Sequence, residues 1–216
     1  MTKLTGWKTR LLALKILISS EKERFRRFKP FLDRYTLELS PLDRAFVREI
    51  SSGTVRFLRL LDFSIKEATG KDLSRQKIPT RNALRLVAYQ LFFTGIPPYA
   101  AINETVEAVK KLLGRKVAGF VNAVSKKLVD FDYKEAVKKI NDELERLAVF
   151  HSFETWMVKR WNLFYGSALP ELLKSLNEVA PLYIRINTLK VTVENYLNLL
   201  RVQGLTLKGT PFLRKW

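Results

Sequence analysis

Apolar residues recur at helical spacing near the start of this chain, which predicts a first helix over Trp7–Ser20. Its inward positions are Trp7, Leu11, Leu14 and Ile18. The same periodicity continues over Glu21–Tyr35, where Pro30 is expected to bend or divide the helix because proline cannot donate the backbone hydrogen bond. The first part of the chain is therefore predicted to be helical.

The sequence around Ser40 favours the start of another helix. Ser40 can cap it, Pro41 suits the first helical position and Asp43 complements the helix dipole. The helix that follows has an apolar face as far as Ile65, and its opposite side carries arginines and Lys66. This division predicts one side packed on a core and one basic side in solvent.

The next three helices are predicted to complete a bundle. The segment that Pro79 opens and Phe93 ends is apolar on nearly every side, so we expect it to be the central buried helix. Ala101–Leu113 and Arg115–Leu128 follow, with glycine or proline between the segments. Short connections between helices of this kind are typical of an all-α bundle.

The pattern changes beyond residue 128. Asp132–Leu147 reads as a charged linking helix, and two short helices follow Ser152. Pro181–Asn187 alternates and is rich in β-branched residues, which predicts a strand, and Leu205–Lys208 predicts a second strand after another helix. The predicted class is mainly α, with a helical domain over 1–130, a linker helix over 131–150, and a small, incomplete α+β unit over 151–216.

The charge of the chain points to a polyanionic partner. Net charge is +18, and residues 69–128 alone carry 11 Lys/Arg against 3 Asp/Glu, so we expect RNA or DNA to bind. No apolar run is long enough to span a bilayer, and Lys15 interrupts the one segment that resembles a signal peptide. With no cysteine, no disulfide can form, and a cytoplasmic location is expected.

The candidate RNA-binding side chains are the cations of the predicted helices. They are Lys8, Arg10, Arg24, Arg26, Arg27, Arg44, Arg48, Arg56, Arg59, Arg81 and Arg85. For the helix after Ser40, the alternative is an ordinary solvated face. Three polar residues on apolar helices are interpreted as hydrogen-bonding groups that fix helix packing, and the single histidine as structural. These are Asn103, Glu104, Asn122 and His151.

Several motifs resemble one family of RNA-modifying enzymes. The most specific are Ala100–Lys110 and Gly119–Val124, together with the Pro41–Phe46 segment and the Arg81–Leu91 segment. They resemble the NusB-type RNA-binding domain at the front of bacterial ribosomal-RNA cytosine-C5 methyltransferases, the methyltransferase B (Sun/Fmu) family. Residues 182–190 resemble the first strand of the methyltransferase half. The resemblance implies a NusB-like bundle whose RNA-contacting helix includes Lys8 and Arg10.

The resemblance implies that the full-length enzyme acts on 16S rRNA with S-adenosylmethionine and a cysteine thiolate. This chain has no cysteine and no glycine-rich strand-to-helix turn, so by itself it is predicted to be non-catalytic, with no cofactor or metal of its own. Two alternatives stay open: a stand-alone NusB-like transcription antitermination factor that joins RNA and a ribosomal protein, and an RNA-binding adaptor for a separate catalytic subunit. Arg185 and Asn187 are predicted to contact either RNA or a missing domain.

Overall fold

A computed structural model describes residues 6–180 and 183–205, and twelve α-helices lie in these residues. They are α1 (Gly6–Lys22), α2 (Phe28–Thr36), α3 (Pro41–Arg56), α4 (Leu58–Thr69), α5 (Ile78–Phe93), α6 (Pro98–Leu113), α7 (Arg115–Lys126), α8 (Tyr133–Lys138), α9 (Glu143–His151), α10 (Thr155–Tyr165), α11 (Leu169–Asn177) and α12 (Val193–Val202). The described residues contain no strand, so the predicted mainly α class is confirmed.

The helices begin and end where local chemistry dictates. The Ser40 hydroxyl accepts a hydrogen bond from the Asp43 backbone N–H at 3.2 Å, as predicted for the start of α3. The break after α1 was predicted at Pro30 but falls at residues 23–27 instead. Pro30 lies in the first turn of α2, where the missing N–H removes no intrahelical bond.

The main apolar core forms around α5, which is buried from Asn82 to Gln90 as predicted. Helices α1, α3, α4, α6 and α7 all contribute buried side chains to it. Of the four inward positions predicted for α1, only Leu14 is completely buried, while Ala13, Ile16 and Leu17 are buried instead. Helix α1 contacts four other helices, α2, α3, α5 and α6, so its buried face is wider than a single apolar stripe. This buried face is also rotated about the helix axis relative to the inward positions that the sequence predicted.

Two smaller clusters extend the helical unit. Leu60, Val137 and Val149 join α8 and α9 to α4, and Val158 and Leu173 join α10 and α11 to α9. The predicted linker helix is divided into α8 and α9, because Asp132 and Asp142 each cap the start of a separate helix. The first compact unit ends at Asn177, and a second begins at Glu178.

The predicted strand over Pro181–Asn187 does not form in its described part, since residues 183–187 have no regular secondary structure. Its first two residues lie outside the described residues. A strand needs a neighbour for its backbone hydrogen bonds. The predicted neighbour, Leu205–Lys208, lies outside the described residues except for Leu205.

Candidate nucleic-acid interface

Two of the predicted RNA-binding arginines are buried inside the helical unit. The Arg85 guanidinium donates to both carboxylate oxygens of Asp62 at 2.6 Å and to Glu21 at 2.9 Å. Arg10 donates from Nε to the Gln90 side-chain oxygen at 2.9 Å and lies 4.4 Å from the centre of the Phe46 ring. Both guanidinium groups are buried and bonded within the protein, so neither is expected to contact RNA.

Arg59 and Arg81 are half-buried and bonded to the protein itself. Arg81 donates to Glu21 at 2.9 Å, and Arg59 donates to Glu145 at 2.6 Å and to Thr155 at 2.7 Å. Arg59 thereby joins α4 to α9 and to the start of α10. The cationic groups of these two side chains are already neutralised by carboxylates.

The basic side predicted for α3 is also engaged in internal bonds. Arg44 donates to backbone carbonyls at the end of α2, at 3.1 Å from Thr36 and 2.6 Å from Leu37. Arg48 forms an ion pair with Asp33. Arg56 remains exposed and makes a 3.2 Å hydrogen bond to the Asn177 carbonyl. Of the cations on this predicted basic side, Arg56 and Lys66 are therefore the ones that the structure leaves exposed.

The remaining predicted cations lie exposed at the two ends of α1. Lys8 is in the first turn, and Arg24, Arg26 and Arg27 follow the last turn. Lys22 and Lys29 flank the arginines, and Glu23 is the only acidic residue between them. We call this group the basic turn; its cations are Lys22, Arg24, Arg26, Arg27 and Lys29.

Backbone hydrogen bonds fix the shape of the basic turn. The Phe25 N–H bonds to the Ser20 carbonyl at 2.7 Å, and the Arg24 N–H bonds to the Glu21 carbonyl at 2.9 Å. This is a Schellman motif, in which glycine usually occupies the position of Arg24. Arg24 and Phe25 both have positive φ, 51° and 59°, although neither is glycine. Strain of this kind is concentrated at functional sites, which makes the basic turn a candidate site.

An ion-pair cluster beneath the turn anchors its position. Glu21, the residue before Lys22, accepts hydrogen bonds from Arg81 at 2.9 Å, Arg85 at 2.9 Å and Asn82 at 2.6 Å. Burial disfavours the charge of this carboxyl, but the hydrogen bonds from Arg81, Arg85 and Asn82 and the charge of Arg85 outweigh it and lower its pKa. The cluster lines an open cleft of about 560 Å³, and it ties the end of α1 to α5.

A line of lysines connects the two ends of α1. Lys8, Lys15 and Lys22 are seven residues apart, so they lie on nearly the same side of the helix. We call these three residues the lysine edge. From Lys8 to Lys22 the helix rises by about 21 Å, roughly the length of a few nucleotides of single-stranded RNA. The lysine edge and the basic turn together form the candidate interface.

The three polar residues that the sequence singled out for helix packing differ in exposure, and the charge of Glu104 acts on Arg10 of α1. Asn103 is exposed, and Asn122 and Glu104 are half-buried. A polar contact that the sequence did not single out is made by Gln90, whose amide donates to the Leu86 carbonyl at 2.9 Å and to the Thr105 hydroxyl at 3.1 Å and so joins α5 to α6. A glutamine within an apolar run was the available signal, because a buried amide must find partners.

His151 is half-buried at the end of α9. Burial lowers the pKa of His151, as expected for a histidine without an acidic neighbour.

Arg185 and Asn187 are exposed, and the Asn187 side chain accepts a hydrogen bond from the Leu189 N–H at 3.1 Å.

Within residues 6–180 and 183–205, no three His, Asp or Glu side chains are grouped so that they could hold a metal ion. None of the helices there is long and apolar enough to cross a bilayer.

Replacing Arg24 with glycine is expected to raise the free energy of unfolding by about 0.5–1 kcal/mol, because the left-handed conformation disfavours residues with a Cβ. The same substitution is expected to weaken RNA binding, because it removes one exposed charge. Urea denaturation and an RNA-binding titration measure the two effects. Arg26→Gly is the matched control, since Arg26 does not have positive φ and glycine there should lower stability.

Comparison with known proteins defines the class of this chain. A model of the NusB family matches residues 7–130. A second model, described as the ferredoxin-like domain of RsmF/B-like methyltransferases, matches residues 153–215. The first match covers more than half of the chain, which therefore belongs to the NusB family.

The curated relatives that this chain resembles are ribosomal RNA methyltransferases. Ribosomal RNA small subunit methyltransferase B of Pectobacterium carotovorum subsp. carotovorum (strain PC1) is 29% identical over 172 residues. The match covers 78% of this chain but only 38% of that relative. As the motifs predicted, the chain resembles the NusB-containing region of the methyltransferase B family.

Solved structures give the same fold. T. maritima NusB is 25% identical with a TM-score of 0.54, and the match covers 59% of this chain and 92% of that one. The crystal structure of PH0851 has a TM-score of 0.66 at 17% identity and covers 98% of this chain and 48% of that one. The second likeness concerns the fold alone.

Proposed function

We propose that this chain binds small-subunit (16S) ribosomal RNA through the lysine edge and the basic turn, as the RNA-targeting portion of a cytosine-C5 methyltransferase. The observation that carries the proposal is the placement of charge. Glu21 near the end of α1 pairs with Arg81 and Arg85, whereas the five cations of the basic turn are exposed to solvent and outnumber its one carboxylate, Glu23. Phosphate groups are the partners that such an unneutralised group of cations favours.

The names of the relatives support the substrate class. They are small-subunit rRNA methyltransferases, and this chain spans 38% of the length of the two relatives from Pectobacterium carotovorum and Serratia proteamaculans. The chain has no cysteine, so it supplies no thiolate for attack on cytosine. In the proposed enzyme, a catalytic domain beyond the matched region, in the same chain or in a separate subunit, performs that step.

S-adenosylmethionine does not fit the part of the chain that the structure describes. A cofactor of this kind binds at the carboxyl edge of a sheet, beside a glycine-rich turn. Residues 6–180 and 183–205 form helices and connections with no such turn. We therefore derive no methyl-transfer step for these residues and assign them the capture and orientation of RNA.

A stand-alone antitermination factor is the second candidate, because the NusB domain by itself is compatible with it. The match of residues 153–215 to a methyltransferase-associated domain favours the first proposal. The two differ in the preferred RNA, so binding to small-subunit rRNA fragments separates them.

Charge reversal tests the proposed surface. The triple variant Arg24→Glu, Arg26→Glu, Arg27→Glu is expected to bind a small-subunit rRNA hairpin at least about tenfold more weakly at moderate salt. The slope of log affinity against log salt should fall by about 2 to 3, since each phosphate contact contributes about 0.7–0.9. Fluorescence anisotropy at several salt concentrations gives both quantities.

The matched control reverses three exposed lysines of the α8 region: Lys134→Glu, Lys138→Glu and Lys139→Glu. Helix α8 packs on α4 and α9, whereas the basic turn joins α1 to α2, so the control changes net charge equally at a different surface. Equal losses of affinity in both variants would mean that only overall charge matters and would contradict the proposed surface. A scrambled hairpin that bound as well as the native one would contradict the rRNA preference.

A further inference from the structure

Trp7 occupies an unusual position at the start of α1. It is half-buried, yet within the described residues it is not among the side chains that pack against the three apolar cores. At 100° per residue, Trp7 lies at the border between the buried arc of α1 and the lysine edge. A large aromatic ring is thus held at the surface, beside the cations of the candidate interface.

Two lysines from different helices flank the indole. The Lys8 ammonium lies 5.8 Å from the ring centre, and the Lys111 ammonium at the end of α6 lies 5.9 Å from it. Lys111 also lies 3.7 Å from Glu107, which in turn accepts a hydrogen bond from Lys110 at 3.1 Å. Two lysines thus lie at the ring, and Lys110 and Glu107 lie next to Lys111. The carboxylate of Glu104 lies beside Gly6, so three lysines and two carboxylates leave a small local excess of positive charge.

We propose that Trp7 is a stacking platform for one unpaired base of the bound RNA, with Lys8 and Lys111 contacting the phosphates on either side. This inference rests on the proposed function. An unpaired base presents a flat face that can stack on an indole, whereas the faces of bases in a duplex are already covered.

The lysine edge defines a path for the RNA strand along the surface of α1. From the indole, the strand would follow Lys15 and Lys22 along α1 to the basic turn. Phe25 lies there, half-buried and outside the main core. The ligand class is therefore a short single-stranded segment, such as a hairpin loop, and not a continuous duplex.

The test compares Trp7→Leu with Trp7→Phe. Leucine keeps apolar bulk but cannot stack, so affinity for a hairpin with an unpaired loop should fall by about five- to fiftyfold, while phenylalanine should retain most of it. Affinity for a fully paired RNA duplex should be the same in all three proteins. Trp156→Leu is the matched control, because Trp156 is 63% exposed on α10, a different surface.

A second readout detects stacking directly. With 2-aminopurine in the hairpin loop, binding of the unaltered chain should quench its fluorescence, and Trp7→Leu should abolish the quenching at saturating protein. Thermal unfolding of each variant checks that the fold is intact. Equal hairpin affinity and equal quenching with Trp7→Leu would overturn the inference while leaving the proposed function standing. Failure of the unaltered chain to bind any RNA would overturn the proposed function itself.

Discussion

Replacement of Gly53 by alanine is expected to lower the free energy of unfolding by about 2–3 kcal/mol, although alanine is the stronger helix former. Gly53 lies within α3, where it faces the Tyr89 ring of α5. A Cβ at this position would lie 1.9 Å from the Cζ atom of Tyr89 and 2.1 Å from its hydroxyl oxygen. Such a contact is impossible without movement of the ring or of a helix.

The Tyr89 ring has little freedom to move. It stacks on Phe93 at 5.4 Å and on Phe57 at 6.4 Å, and its hydroxyl donates to Glu49 at 2.5 Å. A shift of the ring therefore disturbs an aromatic cluster and a hydrogen bond at the same time. Alanine gains about 1 kcal/mol in helix propensity, which is smaller than the expected penalty for overpacking and separation of the two helices.

Urea denaturation of Gly53→Ala measures the effect, and Gly119→Ala is the matched control. Gly119 is also within a helix, but a Cβ there meets no atom within 4 Å. The control should therefore gain up to about 1 kcal/mol of stability from helix propensity alone. A gain of similar size at both glycines would contradict the close approach of α3 and α5.

The second large effect is expected at Arg85, where alanine should lower the free energy of unfolding by about 3 kcal/mol at neutral pH. The side chain of Arg85 is 6% exposed and holds the carboxylates of Asp62 and Glu21. Its removal leaves the buried Glu21 carboxylate with only Arg81 and Asn82, and leaves Asp62 without its bidentate partner. The penalty is the desolvation of charges that have lost their compensation.

The loss at Arg85 should depend on pH. The pKa of Glu21 is lowered in the folded protein from the ordinary value of 4.5, because hydrogen bonds and charge from the arginines outweigh the effect of burial. The stabilisation from this carboxylate is therefore present above about pH 4.5 and is lost as pH falls through the lowered folded value. The difference between the unaltered chain and Arg85→Ala should accordingly shrink below pH 4.5.

Urea denaturation at pH 7 and at pH 3 to 4 compares the two proteins. Lys66→Ala serves as the control, because Lys66 lines the same cleft but is exposed on α4. Its substitution should change stability by less than about 0.5 kcal/mol at either pH. A loss at Arg85 that stayed constant with pH would mean that packing, and not the ion pairs, stabilises this region.

The sequence by itself predicted the features that depend on neighbouring residues. The Ser40 cap and the burial of α5 follow from short-range patterns, since a serine caps the helix that it precedes and a helix apolar on all sides has to be surrounded. The motifs also predicted the NusB family and the methyltransferase B branch. Four of the predicted RNA-binding cations, Lys8, Arg24, Arg26 and Arg27, lie on the proposed surface, and their contact with RNA stays a prediction.

Only the tertiary structure decided which arginines are available to a ligand. In the sequence, Arg85 and Arg24 are equally basic residues. In the structure, Arg85 donates a hydrogen bond to Glu21, 64 residues away, whereas Arg24 is exposed to solvent. Arg10 likewise meets Gln90, 80 residues away. A charged side chain has no signature in sequence for burial, because its partners come from distant helices. The fold brings those partners together, so pairing and exposure become defined only when the helices pack.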